Sequence, residues 1–363
     1  MDILLEFLKR QSRHLFPGYF AMVMATGALS LSFWYLGLEI AAELLIYLNI
    51  FIYIVLLSLN IIRLLLNTDK FLQDISDHGK GPGFFTLIAG TEVLGSQLMV
   101  IKGLIVWGFL FWSIAFLLWI ILMYTFFTLI IVKKVKPLID ESVNGGWLLV
   151  VVSTQSIAVL GTLIAPGMGA FSEIILFISL CHFLLGCMLY LNIIAFIFYR
   201  LMFVNIEEIS LKPPYWINMG ALAITTLAGS VLLIHGTGAG IIADLEIFIK
   251  GFTLFFWVLG SWWIPLLITL GIWRHIVRRY PLSYTPEMWA MAFPIAMYTV
   301  GTIHLSIVLE MEFLMIIPYI TIFGAAGVWL FVFAGMAVHL GRRHVAYFKE
   351  HVPSDHANKE HIS

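Results

Sequence analysis

The chain has 363 residues, of which 61% are hydrophobic and 11% charged, against about 25% charged in a typical soluble domain. A soluble core of this size does not require so few charges, whereas a bilayer does, and no polar stretch is long enough to form a separate soluble domain. The net charge of −1 hides an uneven distribution, and neither a nucleic-acid partner nor a cofactor is expected.

In chain order, residues 1–16 carry Ile3 and Phe7, and Leu4 and Leu8, on one helical face, followed by Lys9, Arg10 and Arg13. They lack the charged-then-apolar order and small-residue site of a cleavable signal, so a cytoplasmic amphipathic segment lying on the membrane is expected. Ten apolar spans follow, predicted near 17–36, 43–66, 84–101, 104–132, 146–165, 173–203, 215–236, 246–275, 288–309 and 314–340. Each approaches the roughly 20 residues needed to cross a bilayer. The expected division is therefore the N-terminal segment 1–16, a transmembrane domain 17–340 and a cytoplasmic tail 341–363.

Charge orients the spans. The N-terminus, the loops after the even spans with their flanking turns, and the C-terminus hold 18 of the 20 Lys and Arg; Lys102 and Lys250 are the exceptions. The opposite side carries Glu39, Glu43, Glu173, Asp244, Glu246, Glu310 and Glu312. The positive-inside rule then puts both termini in the cytoplasm of a multi-pass plasma-membrane protein.

Each odd span opens alike: Pro17-Gly18-Tyr19-Phe20, Pro82-Gly83-Phe84-Phe85, Gly145-Gly146-Trp147, Pro213-Pro214-Tyr215-Trp216 and Pro286-Glu287-Met288-Trp289. Pro suits a first helical turn, where its missing N–H costs nothing, and aromatic rings suit the headgroup level. The recurrence implies one helical hairpin used five times in parallel. The odd spans are richer in Gly, Ala, Ser and Thr, which permit close approach or leave a lumen. The fold expected is all-α, with odd helices inside and even helices outside. The tenth span departs from this pattern, with Gly324-Ala325-Ala326-Gly327 and Ala334-Gly335, and is expected to pack on another helix or a second subunit.

Counting from each opening Pro or Gly, Phe293 falls at the same step as Met24, Ala89, Val152 and Gly220. One ring among four modest side chains would plug a lumen, and hydrophobic constrictions gate by dewetting; packing ahead of a Pro294 kink is the plainer alternative. Thr26, Thr91 and Thr154 lie two steps further, and Ser30, Thr226 and Thr299 one helical turn beyond those. These hydroxyls are candidate pore-lining donors, the alternative being bonds back to their own helices. Glu92 is the carboxylate well inside a span. An ionised acid there would repel an anion and a protonated one would not, so it is read either as a proton-coupling site or as an acid bonded between helices. His182, His235 and His304 show no haem or metal spacing and read as packing or interfacial residues; Cys181 and Cys187 read as small buried hydrophobes. No metal is expected.

Three stretches carry a resemblance. Phe16-Pro17-Gly18-Tyr19-Phe20-Ala21-Met22-Val23-Met24-Ala25-Thr26-Gly27 resembles the first helix of the tellurite-resistance/dicarboxylate transporter family. Gly90-Thr91-Glu92-Val93-Leu94-Gly95-Ser96-Gln97 is similar to its third, and Trp289-Ala290-Met291-Ala292-Phe293-Pro294 with the residues to Val300 to its ninth. That family includes tellurite-resistance permeases, fungal malate transporters, sulfite efflux pumps and plant slow anion channels. The resemblance implies a homotrimer in which each subunit has its own pore, blocked by a phenylalanine at the position of Phe293. Glu92 departs from the small or uncharged residue expected there.

The function expected is membrane transport of a small anion (malate or another C4-dicarboxylate, sulfite, tellurite, nitrate or chloride) through a Phe293-gated pore. A proton-coupled dicarboxylate carrier is the alternative. An integral-membrane enzyme is a third class, against which stands the lack of a His-Glu-x-x-His, an aspartate-rich diphosphate motif or a buried Ser-His pair.

Overall fold

The structure is a computed structural model that describes residue 9, residues 12–236 and residues 240–351. Most of the expected amphipathic N-terminal segment and the end of the tail lie outside the described residues. Ten long helices carry the fold: α1 (Ala21–Tyr35), α2 (Glu39–Leu66), α3 (Phe85–Lys102), α4 (Ile105–Val132), α5 (Leu149–Ile164), α6 (Ser172–Phe203), α7 (Ile217–His235), α8 (Glu246–Ile272), α9 (Trp289–Leu309) and α10 (Ile316–His351). Among the described residues, nine helices are long and apolar enough to cross a membrane; the 15-residue α1 is not one of them. Helix α10 runs on to His351, so the boundary expected at residue 340 falls inside a helix.

Each odd helix packs on the even helix that follows it, and the odd helices pack on one another in a closed cycle, α1 on α3, α3 on α5, α5 on α7, α7 on α9 and α9 back on α1. The even helices lie around them with apolar side chains exposed, among them Tyr47, Phe51, Ile114, Leu117, Phe196, Val258 and Phe323. The contrast is sharp: 94% of the most apolar stretch is buried around α5 and α7, but 28% in α2. Bulky side chains facing outwards in this way suit lipid. Gly37 and Gly103, at φ +78° and +65°, close the short turns α1–α2 and α3–α4 in the left-handed conformation that glycine tolerates.

Every odd helix begins with a 3₁₀ turn, at Pro17–Phe20, Gly81–Phe84, Gly145–Leu148, Pro213–Trp216 and Pro286–Met288. These five leads form a closed cycle of their own. Glycine is required where they touch: a Cβ on Gly145 would stand 2.1 Å from the Pro214 carbonyl oxygen, and one on Gly83 3.0 Å from the Gly18 nitrogen. The recurring Pro/Gly signature thus reflects both a helix start and a five-way backbone junction.

Arginines near the ends of three even helices brace this junction. Arg63, wholly buried, pairs with Asp74 and lies 5.9 Å from the Phe84 ring centroid. Arg200 donates to the Val143 and Asp140 carbonyls at 2.8 and 2.5 Å and stands 5.9 Å from the Tyr215 ring. Arg274 donates to the Leu211 carbonyl at 2.5 Å and stands over Tyr280. Phe84 and Tyr215 each belong to the lead of the next odd helix. A buried guanidinium needs such partners because desolvation would otherwise be prohibitive.

Candidate functional site

A narrow cavity, with room for about one water-sized molecule, lies among the odd helices, with a wall drawn from all five of them and from no even helix. Its residues obey one register. On α9 the wall is Met297, Val300 and His304, which continue the face of Phe293 at i+4, i+7 and i+11. The same spacing runs from Ala89 through Val93, Ser96 and Val100 on α3, and from Val152 through Ser156, Val159 and Leu163 on α5. It recurs from Gly220 through Ile224, Leu227 and Val231 on α7, and from Met24 to Leu31 and Tyr35 on α1, where Ala28 fills the remaining step. The cavity is therefore built as stacked rings of five, one residue per helix, at equal counts from the five openings.

Met24, Ala89, Val152, Gly220 and Phe293, the step one turn nearer the leads, are all buried. Phe293 is 1% exposed and is the bulkiest of the five. Gly220 leaves room for the Pro294 ring beside it: a Cβ there would come within 2.7 Å of the proline Cγ. Phe293 therefore shares the cavity face of α9 one turn nearer the leads, and is not itself among the wall residues.

The six predicted pore-lining hydroxyls are placed elsewhere, and none borders the cavity. Thr26 accepts from Trp329 Nε1 at 3.0 Å, Thr91 meets the Tyr53 hydroxyl at 3.0 Å, and Thr154 accepts from Trp119 Nε1 at 2.9 Å. Ser30 donates to the Ala42 carbonyl, Thr226 to that of Leu222, and Thr299 contacts the Thr321 hydroxyl at 2.7 Å. The correction has a simple cause. At 3.6 residues per turn, a two-residue step rotates a helix by about 200°, so residues two steps beyond the lumen face point to the outer helices.

Glu92 is 1% exposed, and neither carboxylate oxygen has a hydrogen-bond partner among the described residues. It precedes Val93 and stands a turn before Ser96, both in the cavity wall. The reading of Glu92 as an acid bonded between helices therefore finds no partner here. His304, read as a packing residue, instead walls the cavity, with its ring edge-on to Tyr35 at 4.6 Å. His182 is a packing residue, T-shaped on Trp119. Besides His304, the polar cavity residues are Ser96, Ser156 and Tyr35, which sequence reasoning passed over. Adding 4, 7 and 11 to the shared depth of Phe293 would have found all four. No group of three or more His, Cys, Asp or Glu able to hold a metal occurs among the described residues.

Comparison with known proteins points to membrane transporters. The chain is 28% identical over 299 residues to an uncharacterized transporter of Methanocaldococcus jannaschii, covering 80% of this chain and 82% of that one. A second uncharacterized transporter of that organism is 27% identical over 294 residues, covering 78% and 82%. An uncharacterized membrane protein of Mycobacterium tuberculosis is 34% identical over 152 residues, covering 42% of this chain and 77% of its own length. Residues 14–337 match the family described as voltage-dependent anion channel, and the chain belongs to that family of membrane anion transporters.

Proposed function

We propose that small anions cross the membrane along the axis of the odd-helix cycle, and that the Phe293 ring closes this path at the floor of the cavity. The observation that supports the reading is the shared register: a wall drawn in equal steps from five helices, whose next step towards the leads holds one large buried ring, Phe293. The surface that the wall presents is apolar, so an unoccupied path narrowed by a phenylalanine excludes water and ions together. Malate or another C4-dicarboxylate, sulfite, tellurite, nitrate and chloride are the cargoes to screen, with a homotrimer of separate pores as the assembly. The buried, unpartnered Glu92 favours a second reading, a proton-coupled carrier on the same axis.

Anion flux from proteoliposomes, screened across these ions with Phe293→Ala beside the wild type, tests the proposal. A gate variant conducts more and keeps nearly wild-type thermal stability in detergent, and Phe293→Leu conducts less than Phe293→Ala. If the ring were ordinary core, its loss would cost about 3–5 kcal/mol, giving a lowered melting temperature and no gain in flux. Background conductance in well-folded Phe293→Ala would place the gate elsewhere.

A further inference from the structure

We propose that the turn at residues 133–139 is a docking surface for anionic phospholipid headgroups, with Lys133, Lys134 and Lys136 meeting the phosphates and Val135 and Leu138 reaching the acyl boundary beneath them. The inference goes beyond the transport reading and holds whichever ion is carried. All ten residues of 131–140 are exposed. The apolar ones are strongly so: Val132 at 66%, Val135 at 81% and Leu138 at 68%. Helix α4 stops at Val132, so Val135 and Leu138 lie beyond its end, interleaved with the three lysines and Pro137. Apolar side chains left open in this way mark a surface that something covers.

Continuity and charge name the occupant. Along α4, Leu117, Ile121, Tyr124, Thr128 and Ile131 recur at steps of four and three residues, all of them exposed, and form one outward face. The turn carries this stripe past the helix end into a cluster of cations. Among the described residues none of the three lysines forms an ion pair; Lys133 donates to the Ser76 carbonyl at 3.2 Å. The nearby carboxylates are Asp77, which accepts from the Gly79 and Lys80 N–H groups at 2.9 Å, and Asp140 and Glu141 on the short helix Ile139–Ser142. A lysine can lay its stem along the acyl boundary while its ammonium stays among the phosphates. Free ammonium groups alternating with bare apolar side chains therefore fit a negatively charged headgroup layer, which attracts basic segments at the end of a spanning helix.

The arrangement recurs in the hairpin repeat. Ile131-Val132-Lys133-Lys134, followed by Pro137-Leu138, corresponds to Ile276-Val277-Arg278-Arg279, followed by Pro281-Leu282, after α8. There too Ile276, Val277 and Leu282 are exposed, but Glu208 holds Arg278 at 3.2 Å, leaving fewer free cations. The turn after α4 also adjoins the lead junction. The charges of Lys133 and Lys136 act on buried His78, whose ring centroid lies 6.3 Å from that of Trp147 in the lead of α5. A phosphate held by these lysines thus sits beside the leads of α3 and α5.

The test attaches a bimane label to Val135→Cys in the full-length protein, with the exposed Cys181 replaced (Cys181→Ala) and the buried Cys187 kept. The protein is reconstituted in phosphatidylcholine vesicles containing rising fractions of brominated phosphatidylglycerol or brominated phosphatidylcholine. Both brominated lipids should quench the label, and phosphatidylglycerol should do so at about three- to tenfold lower mole fraction. Raising the salt from about 50 to about 500 mM should shrink that preference. Lys133→Gln, Lys134→Gln and Lys136→Gln combined should equalise the two lipids and leave the quenching itself intact. A label that neither lipid quenches lies in water or against protein, and overturns the docking surface. Equal quenching by the two lipids at low salt, with the lysines intact, overturns the headgroup site. A preference abolished by about 10 mM soluble glycerol phosphate assigns the lysines to a free phosphate and overturns the lipid as their partner. Anion flux in the same vesicles reports on the transport reading separately.

Discussion

Glu92 is the residue whose placement most needs an explanation. A charged group at the bilayer centre costs about 2.5–3.5 kcal/mol on insertion scales, and this carboxyl has no partner to offset that cost. It flanks the face of α3 that supplies Val93 and Ser96 to the cavity. A group so placed is expected to exchange a proton in step with the cargo rather than to hold helices together. Glu92→Gln, which imitates the protonated form, should therefore flatten the pH dependence of uptake, with little loss of melting temperature. If uptake keeps its pH profile in Glu92→Gln, the acid is a structural remnant. The contrast between Glu92 and the six hydroxyls shows what sequence could deliver at this scale. Depth in the membrane follows from a simple count, so the level of Phe293 was readable. Direction around a helix follows from the same count modulo 3.6, and Thr26, Thr91 and Thr154 were assigned to the lumen without it.

Those misplaced hydroxyls turn out to belong to the seams between hairpins. In each seam a ring on an even helix bonds to the next odd helix: Tyr53 to Thr91, Trp119 to Thr154, Tyr190 to the Asn218 carbonyl, Trp257 to Thr302 and Trp329 to Thr26. Thr154 donates its own hydrogen to the Val150 carbonyl at 2.8 Å, so its oxygen is free to accept from Trp119. The last seam joins α10 to α1 and closes the cycle. Helices in lipid have no hydrophobic drive to associate, so such bonds set register. Thr154→Val should lower stability in detergent by about 1 kcal/mol, because it strands a buried indole N–H. In a Trp119→Phe background the same change should cost measurably less, as the stranded donor is already gone; equal costs in both backgrounds would refute the coupling. The helices themselves were plain in the sequence, since runs of apolar residues bounded by Pro, Gly and charge leave little freedom. Which partner each helix chooses was not, because a seam is written as single residues on two distant segments.

At the scale of the molecule, the two ends of the helix cycle differ in chemistry. One end carries the five 3₁₀ leads, the bracing Arg63, Arg200 and Arg274, and the exposed Lys133, Lys134, Lys136 and Arg279. The other carries Glu39, Glu173, Asp244, Glu246, Glu310 and Glu312, with Lys102 held by Glu43 at 2.5 Å. Free basic residues resist translocation, whereas a paired lysine next to a carboxylate is a weaker signal, so the bias should fix a single orientation with the leads in the cytoplasm. Single cysteines at Lys70, Lys133 and Arg278 should then react with an impermeant reagent only after the cytoplasmic side is opened, and cysteines at Glu173 and Asp244 should react from outside. The opposite pattern would invert the molecule, and the level of Phe293 would then lie nearer the outside than the cavity wall does.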